Sequence, residues 1–218
     1  MPKAKWLTIL GSLVGVSAVY MTVIRPRHMR WGATQQEIDR PMLGDELVNK
    51  PTYVTTRAIT IDARPEDVWP WLVQMGEHRG GFYSYDLIDR LLGIKVHSAH
   101  RILPRFQHLD EGDALDLKGN MIVRKIEAGR ALVIGPGKSV EHIDSTWSIA
   151  LHPLGSTRTR LVSRVRPRFD LKSARALLLL LVLDIGQIIM EQKWLHEIKS
   201  HAEGTYELWP PESAPTLH

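Results

Sequence analysis

Hydrophobic patterning divides the chain into three stretches. Residues 6–24, WLTILGSLVGVSAVYMTVI, run for 19 positions without a formal charge. Residues 52–166 mix helical and alternating periods, and residues 171–202 return to a long apolar helical pattern. At about 1.5 Å per residue the first run reaches about 28 Å as a helix, close to the hydrocarbon thickness of a bilayer, about 30 Å. Lys3 and Lys5 precede it, Arg25, Arg27 and Arg30 follow it, and Trp6 and Tyr20 stand near its two ends, as interfacial anchors do. Residues 1–30 are therefore read as a single-pass membrane anchor with basic flanks. A cleaved signal peptide competes with that reading, because Val16, Ser17 and Ala18 supply the small residues of a cleavage site; the apolar run nevertheless continues through residue 24. The arginine excess after the span puts the following domain on the cytoplasmic side of the cell membrane. Gly11 and Gly15 form a GxxxG pair, a spacing that permits close helix approach but also recurs by chance in membrane helices, so oligomeric state is left open.

Residues 31–51 read as a connector. Thr34 with Glu37 three positions on is the pattern of a capping box, which predicts a short helix there. The domain proper is expected over residues 52–203. TYVTTRAITI is rich in β-branched residues and reads as its first strand. Pro65, followed by Glu66 and Asp67, opens a helix whose apolar face carries Val68, Trp71, Leu72 and Met75. A second helix is expected from Ser84 to Gly93, with Leu87, Ile88, Leu91 and Leu92 on one face. Strands are then expected near 97–103, 113–118, 120–126, 131–135, 144–152 and 157–166, separated by turn signals such as Lys118-Gly119-Asn120 and Glu127-Ala128-Gly129-Arg130. Residues 204–218 form a Pro-rich tail. The fold class that follows is α+β: a curved antiparallel sheet of about seven strands, two short helices after the first strand, and a long C-terminal helix covering the apolar face of the sheet.

Composition narrows the chemistry. Lys and Arg total 28 against 24 Asp and Glu, a net charge of +4, too mild and too spread to indicate nucleic acid. With no cysteine, disulfide scaffolds, thiol catalysis and Cys-ligated zinc are excluded. His196-Glu197 with His201 imitates a zinc-protease signature but is one residue too long, which puts the imidazoles about 140° apart around a helix. Gly137-Lys138-Ser139 lacks the leading glycine of a phosphate loop, His97 and His100 have no carboxylate partner nearby in sequence, and no G-x-S-x-G elbow occurs. Neither a metal nor a cofactor is called for.

Several stretches together resemble one family: ITIDARPEDVWPWLVQMG at 59–76, GGFYSYDLIDRLLG at 80–93, SAHRILPRFQHLDEGD at 98–113, RKIEAGRALVI at 124–134, STWSIALHPL at 145–154, TRLVSRVR at 159–166 and MEQKWLHEIK at 190–199. Over about residues 31–203 the chain resembles the SRPBCC superfamily, the START and polyketide cyclase-like proteins, and within it a bacterial membrane-anchored group. That resemblance implies a helix-grip domain with an apolar cavity between sheet and C-terminal helix. It implies a bound lipid, sterol or polyketide-like molecule, and in some members cyclisation or dehydration; it implies no shared catalytic set.

The candidate site residues follow from where such a cavity would lie. Phe82, Tyr83, Tyr85 and Asp86 in GGFYSYD are candidates for its mouth; the same stretch also reads simply as a loop capping a helix at Ser84. Trp147 faces either the cavity or the core. On the long helix, Leu177 to Leu183 give way to Asp184, Gln187 and Glu191, polar groups in an apolar stripe that need partners. Two readings of function stand. One is a membrane-anchored binding or carrier protein for a hydrophobic small molecule or lipid. The other is a cyclase or dehydratase using Tyr83, Asp86 or Glu191 as acid and base. Arg158, Arg160, Arg164 and Arg166 alternate with Leu161, Ser163 and Val165; they form an arginine row on the outer face, either solvated or set against anionic headgroups.

Overall fold

A computed structural model of the chain describes residues 15, 19–83, 98–137, 143–169 and 174–204, with the backbone alone for 174–185. One five-stranded antiparallel sheet forms its centre, in the order β1-β5-β4-β3-β2: β1 (Thr55–Ile61), β2 (Met121–Glu127), β3 (Ala131–Pro136), β4 (Ser145–Leu154) and β5 (Arg158–Pro167). The helices are α1 (Arg25–Met29), which continues a π-helical turn at Tyr20–Ile24, α2 (Gln35–Asp39), α3 (Pro65–Val73) and α4 (Ala174–Ala202). Pro65 occupies the first turn of α3 with Glu66 and Asp67 beside it, so a missing N–H costs nothing and the acids meet the positive end of the dipole.

The sheet has five strands among the described residues, not about seven. Residues 98–103 form no strand, and 113–118 supply only a single bridge, Ala114 to Ile122. The reason is where the backbone donors go. Leu103 N–H is taken by the Gln74 side chain, Ala99 N–H by the Gly80 carbonyl, and Asp110 N–H and Met121 N–H by the carboxylates of Asp113 and Asp116. Local carboxylate turns thus outcompete a ladder. The expected helix over 84–93 lies outside the described residues, as does the tail beyond Gly204. No helix among the described residues is long and apolar enough to cross a membrane, and 1–14 and 16–18, which hold most of the expected anchor, lie outside them.

The alternation of the strands assigns two faces. Ile59, Ile61, Leu161, Leu151, Ile149, Leu132 and Ile134 point to one side, where α3 and α4 add Val68, Leu72, Trp194, Leu195 and Ile198 to the main core. Ala58, Val162, Ala150 and Ala131 point to the other, where Met42 closes over them. Small residues on that outer face let a strap of chain, residues 30–48, lie directly on the sheet. Gly32 marks the contact: at φ +70° its missing Cβ would stand 2.2 Å from the Ala58 carbonyl oxygen, so no other residue fits.

Candidate functional site

The inner face, under α4, carries an arginine in line with its isoleucines. Arg57 is fully buried and sits directly opposite Ser163 in the β1–β5 ladder. Its Nη1 is ion-paired with Oε2 of Glu191, which α4 lowers onto the sheet, and its Nε donates to the His28 carbonyl of α1 at 3.0 Å. Ser163 donates to the other Glu191 oxygen at 2.7 Å, and the Trp147 indole N–H donates to Ser163 Oγ at 2.9 Å. Trp147 in turn meets Trp194 edge-on, ring centroids 4.9 Å apart. One turn earlier on α4, Gln187 accepts from the Tyr53 hydroxyl at 3.2 Å. Burial pushes the Glu191 carboxyl above the ordinary carboxylate range, against the opposing pull of the Arg57 charge and of the hydrogen bonds from Ser163 and Arg57.

A second buried polar group lies at the far end of α4. Gln74 has no exposed surface. Its Nε2 donates to the Tyr83 hydroxyl at 2.5 Å and to the Arg101 carbonyl at 3.2 Å, while its Oε1 accepts from Leu103 N–H and Gln107 Nε2. Gly80 permits this: a Cβ there would stand 2.9 Å from the Gln74 carbonyl oxygen and Cγ. Trp71 stacks on His201 at 4.4 Å, with Tyr83 5.2 Å from the same imidazole. Burial drives the Tyr83 phenol well above its usual range, the Gln74 hydrogen bond opposing. Burial also lowers His201 to about 4; Glu197 opposes this, and His100 and Lys193 reinforce it.

The sequence candidates therefore separate. Trp147 and Glu191 meet through Ser163, with Gln187 one turn away. Tyr83 is buried in the Gln74 clasp and Phe82 is half-buried beside it against the main core; Tyr85 and Asp86 lie outside the described residues. Tyr83 packs on His201, ten residues along α4 from Glu191 and so about 15 Å away; the two do not form an acid–base pair. Arg57, Ser163 and Gln74 are the residues that sequence reasoning missed as functional groups. Arg57 shares the β1 face with Ile59 and Ile61, and an arginine there required a buried acid, for which Glu191 in its apolar stripe was the complement.

The arginine row needs correction. Arg158 is exposed, but Arg164 is 3% exposed and makes hydrogen bonds to the carbonyls of Glu37, Ile38 and Arg40, to Asp45 and to Thr56. Arg160 grips the Glu37 carboxylate, at 2.7 and 3.0 Å, and the Gly32 carbonyl. Arg166 reaches Val48 O and Asp45. Three of the four hold the strap, so the row is not a free, solvated face. The capping box stands as expected, Thr34 accepting from Glu37 N–H and Glu37 from Thr34 N–H. The residues taken for a connector are thus part of the folded body.

No family model matches the chain, and no curated protein matches it. Among solved structures, it is similar to protein MLL2253 from Mesorhizobium loti, at 16% identity and a TM-score of 0.39 over 71% of this chain and 100% of that one. Protein Ms6760 from Mycobacterium smegmatis shows 12% identity and a TM-score of 0.41 over 71% of this chain and 94% of that one. CalC, a self-sacrificing resistance protein from Micromonospora echinospora, shows 12% identity and a TM-score of 0.37 over 69% and 94% respectively.

Proposed function

We propose that this chain is a helix-grip protein of the SRPBCC kind, anchored in the cell membrane by residues 6–24, that holds a hydrophobic small molecule or lipid between the inner face of its sheet and α4. The observation that carries this reading is Trp147. It projects from β4 onto the inner face, its indole N–H is committed to Ser163, and yet the side chain is only half-buried. A tryptophan that belonged wholly to the core would bury its ring as Trp194 does, at 2% exposure; one with an N–H held and a ring left accessible is a wall for an apolar guest. Phe82, Ile102 and Met121 are likewise half-buried against the same core. The anchor keeps such a site beside the bilayer that supplies its guest, and the basic flank of Arg25, Arg27 and Arg30 keeps the domain cytoplasmic.

Native mass spectrometry of the full chain, released from detergent, tests this. The expected spectrum contains an adduct of lipid-like mass that survives mild activation and disappears in a Trp147→Arg variant that still folds. An adduct-free spectrum, with Trp147 shielded from a neutral aqueous quencher, would sink the reading.

A further inference from the structure

The proposed site carries polar valences that the fold does not use. Arg57 Nη2, Thr55 Oγ1 and His28 Nδ1 are buried and have no hydrogen-bond partner among the described residues. Arg57 and Thr55 each have no exposed surface. They are two positions apart on β1, hence on one face and about 7 Å apart along the strand, while His28 is the residue whose carbonyl receives Arg57 Nε. An unpaired buried polar group costs about 1–3 kcal/mol, and two of these three stand on one face of β1.

The register supplies an apolar neighbour. Thr55 lies opposite Val165, and Val165 lies opposite Trp147, so the free hydroxyl, a half-buried valine and the half-buried tryptophan form one row across β1, β5 and β4. Arg57 and Ser163 form the next row. The charge of Arg57 is already balanced by Glu191, so its remaining N–H groups suit a neutral acceptor better than a second buried anion.

Resting on the reading of an apolar site, we propose that its guest is a neutral carbonyl compound, an ester or ketone on a hydrocarbon body, whose oxygen accepts from Arg57 Nη2 and the Thr55 hydroxyl while its chain lies over Val165 and Trp147. The other reading of these atoms is that they serve folding alone, and it is an outcome of the test.

The experiment uses the full chain in detergent and reads displacement of the neutral dye N-phenyl-1-naphthylamine by three probes of similar length: methyl decanoate, decanoate and undecane. The expected result is that methyl decanoate displaces the dye at about tenfold lower concentration than undecane. Thr55→Val, which keeps the shape and removes the hydroxyl, should weaken methyl decanoate about fivefold and leave undecane unchanged, whereas Thr55→Ser should retain the preference. Equal displacement by ester and hydrocarbon, or a preference untouched by Thr55→Val, overturns the carbonyl assignment and leaves the apolar site standing. Decanoate binding tightest overturns the neutral head. A protein that takes up neither dye nor probe overturns the site itself.

Discussion

At the scale of single residues, the costliest arrangement in the molecule is the Arg57–Glu191 pair. Bringing both ions out of water costs several kcal/mol each, and their attraction plus the Ser163 and His28 hydrogen bonds offsets that cost only while all partners are present. Glu191→Ala should therefore destabilise by about 3–5 kcal/mol, because Arg57 is left charged in a dry interior. Arg57→Met with Glu191→Met together should cost far less than the sum of the two single changes, and chemical denaturation of the four proteins gives the coupling directly. Strict additivity would mean that the two side chains are independent. The pair also shows what a sequence hides. The alternation of TTRAITI places Arg57 inward, and the stripe around Glu191 marks an acid in apolar company. Yet the partners stand 134 positions apart, and nothing local announces that each one satisfies the other.

At the scale of elements, the strap over residues 30–48 shows how a covered surface can mimic an exposed one. Arginines at alternate positions of β5 have the pattern of a solvated face, and composition cannot distinguish water from a segment that presents carbonyl oxygens. What was legible was the capping box, since Thr34 and Glu37 are neighbours; what was not was that Glu37 also receives Arg160 from 123 positions away. The same limit explains the strands. β1, β3, β4 and β5 follow from runs of β-branched residues, while 98–103 and 113–118 resemble strands in composition, but Ala99, Leu103 and Leu117 give their N–H groups to Gly80, Gln74 and Glu77, and Asp116 takes the N–H of Met121. Arg164 makes five hydrogen bonds, four of them to the strap and one to Thr56 of β1. Arg164→Met is expected to open residues 30–48 to limited proteolysis and to lower stability by about 3 kcal/mol through stranded carbonyls and Asp45. Arg158→Met, one strand face along and exposed, should change neither. Equal proteolysis of the two variants would mean that apolar contact of Met42 with the sheet, not Arg164, holds the strap.

At the scale of the whole molecule, the two faces of the sheet should fail at different pH. His201 lies in the last turn of α4, within the influence of Glu197, Lys193 and His100. Its value falls from 6.5 to about 4 on folding, so between those values the unfolded chain binds the extra proton and stability declines as pH drops. Glu37 holds the strap on the opposite face. Its own burial would raise its value, but the Arg160 hydrogen bond and charge and the Thr34 contacts outweigh burial and bring it from 4.5 to about 2. The sign is the same, since the unfolded carboxylate protonates first, but the window lies lower, so stability present above pH 4.5 is lost as pH falls through 2. Glu191 works the other way, because its raised value means that acid relieves the cost of burying its charge. Denaturant midpoints measured at pH 7, 5 and 3 should fall in two stages. His201→Phe, which preserves the stack on Trp71, should remove most of the loss between pH 6.5 and 4, an effect of up to about 3 kcal/mol. Glu37→Gln should be less stable at pH 7 yet flatter below pH 4.5, with strap proteolysis no longer rising in acid. If His201→Phe declines as steeply as the parent from pH 7 to 5, the acid sensitivity of the domain lies elsewhere and the end of α4 is not its weakest joint.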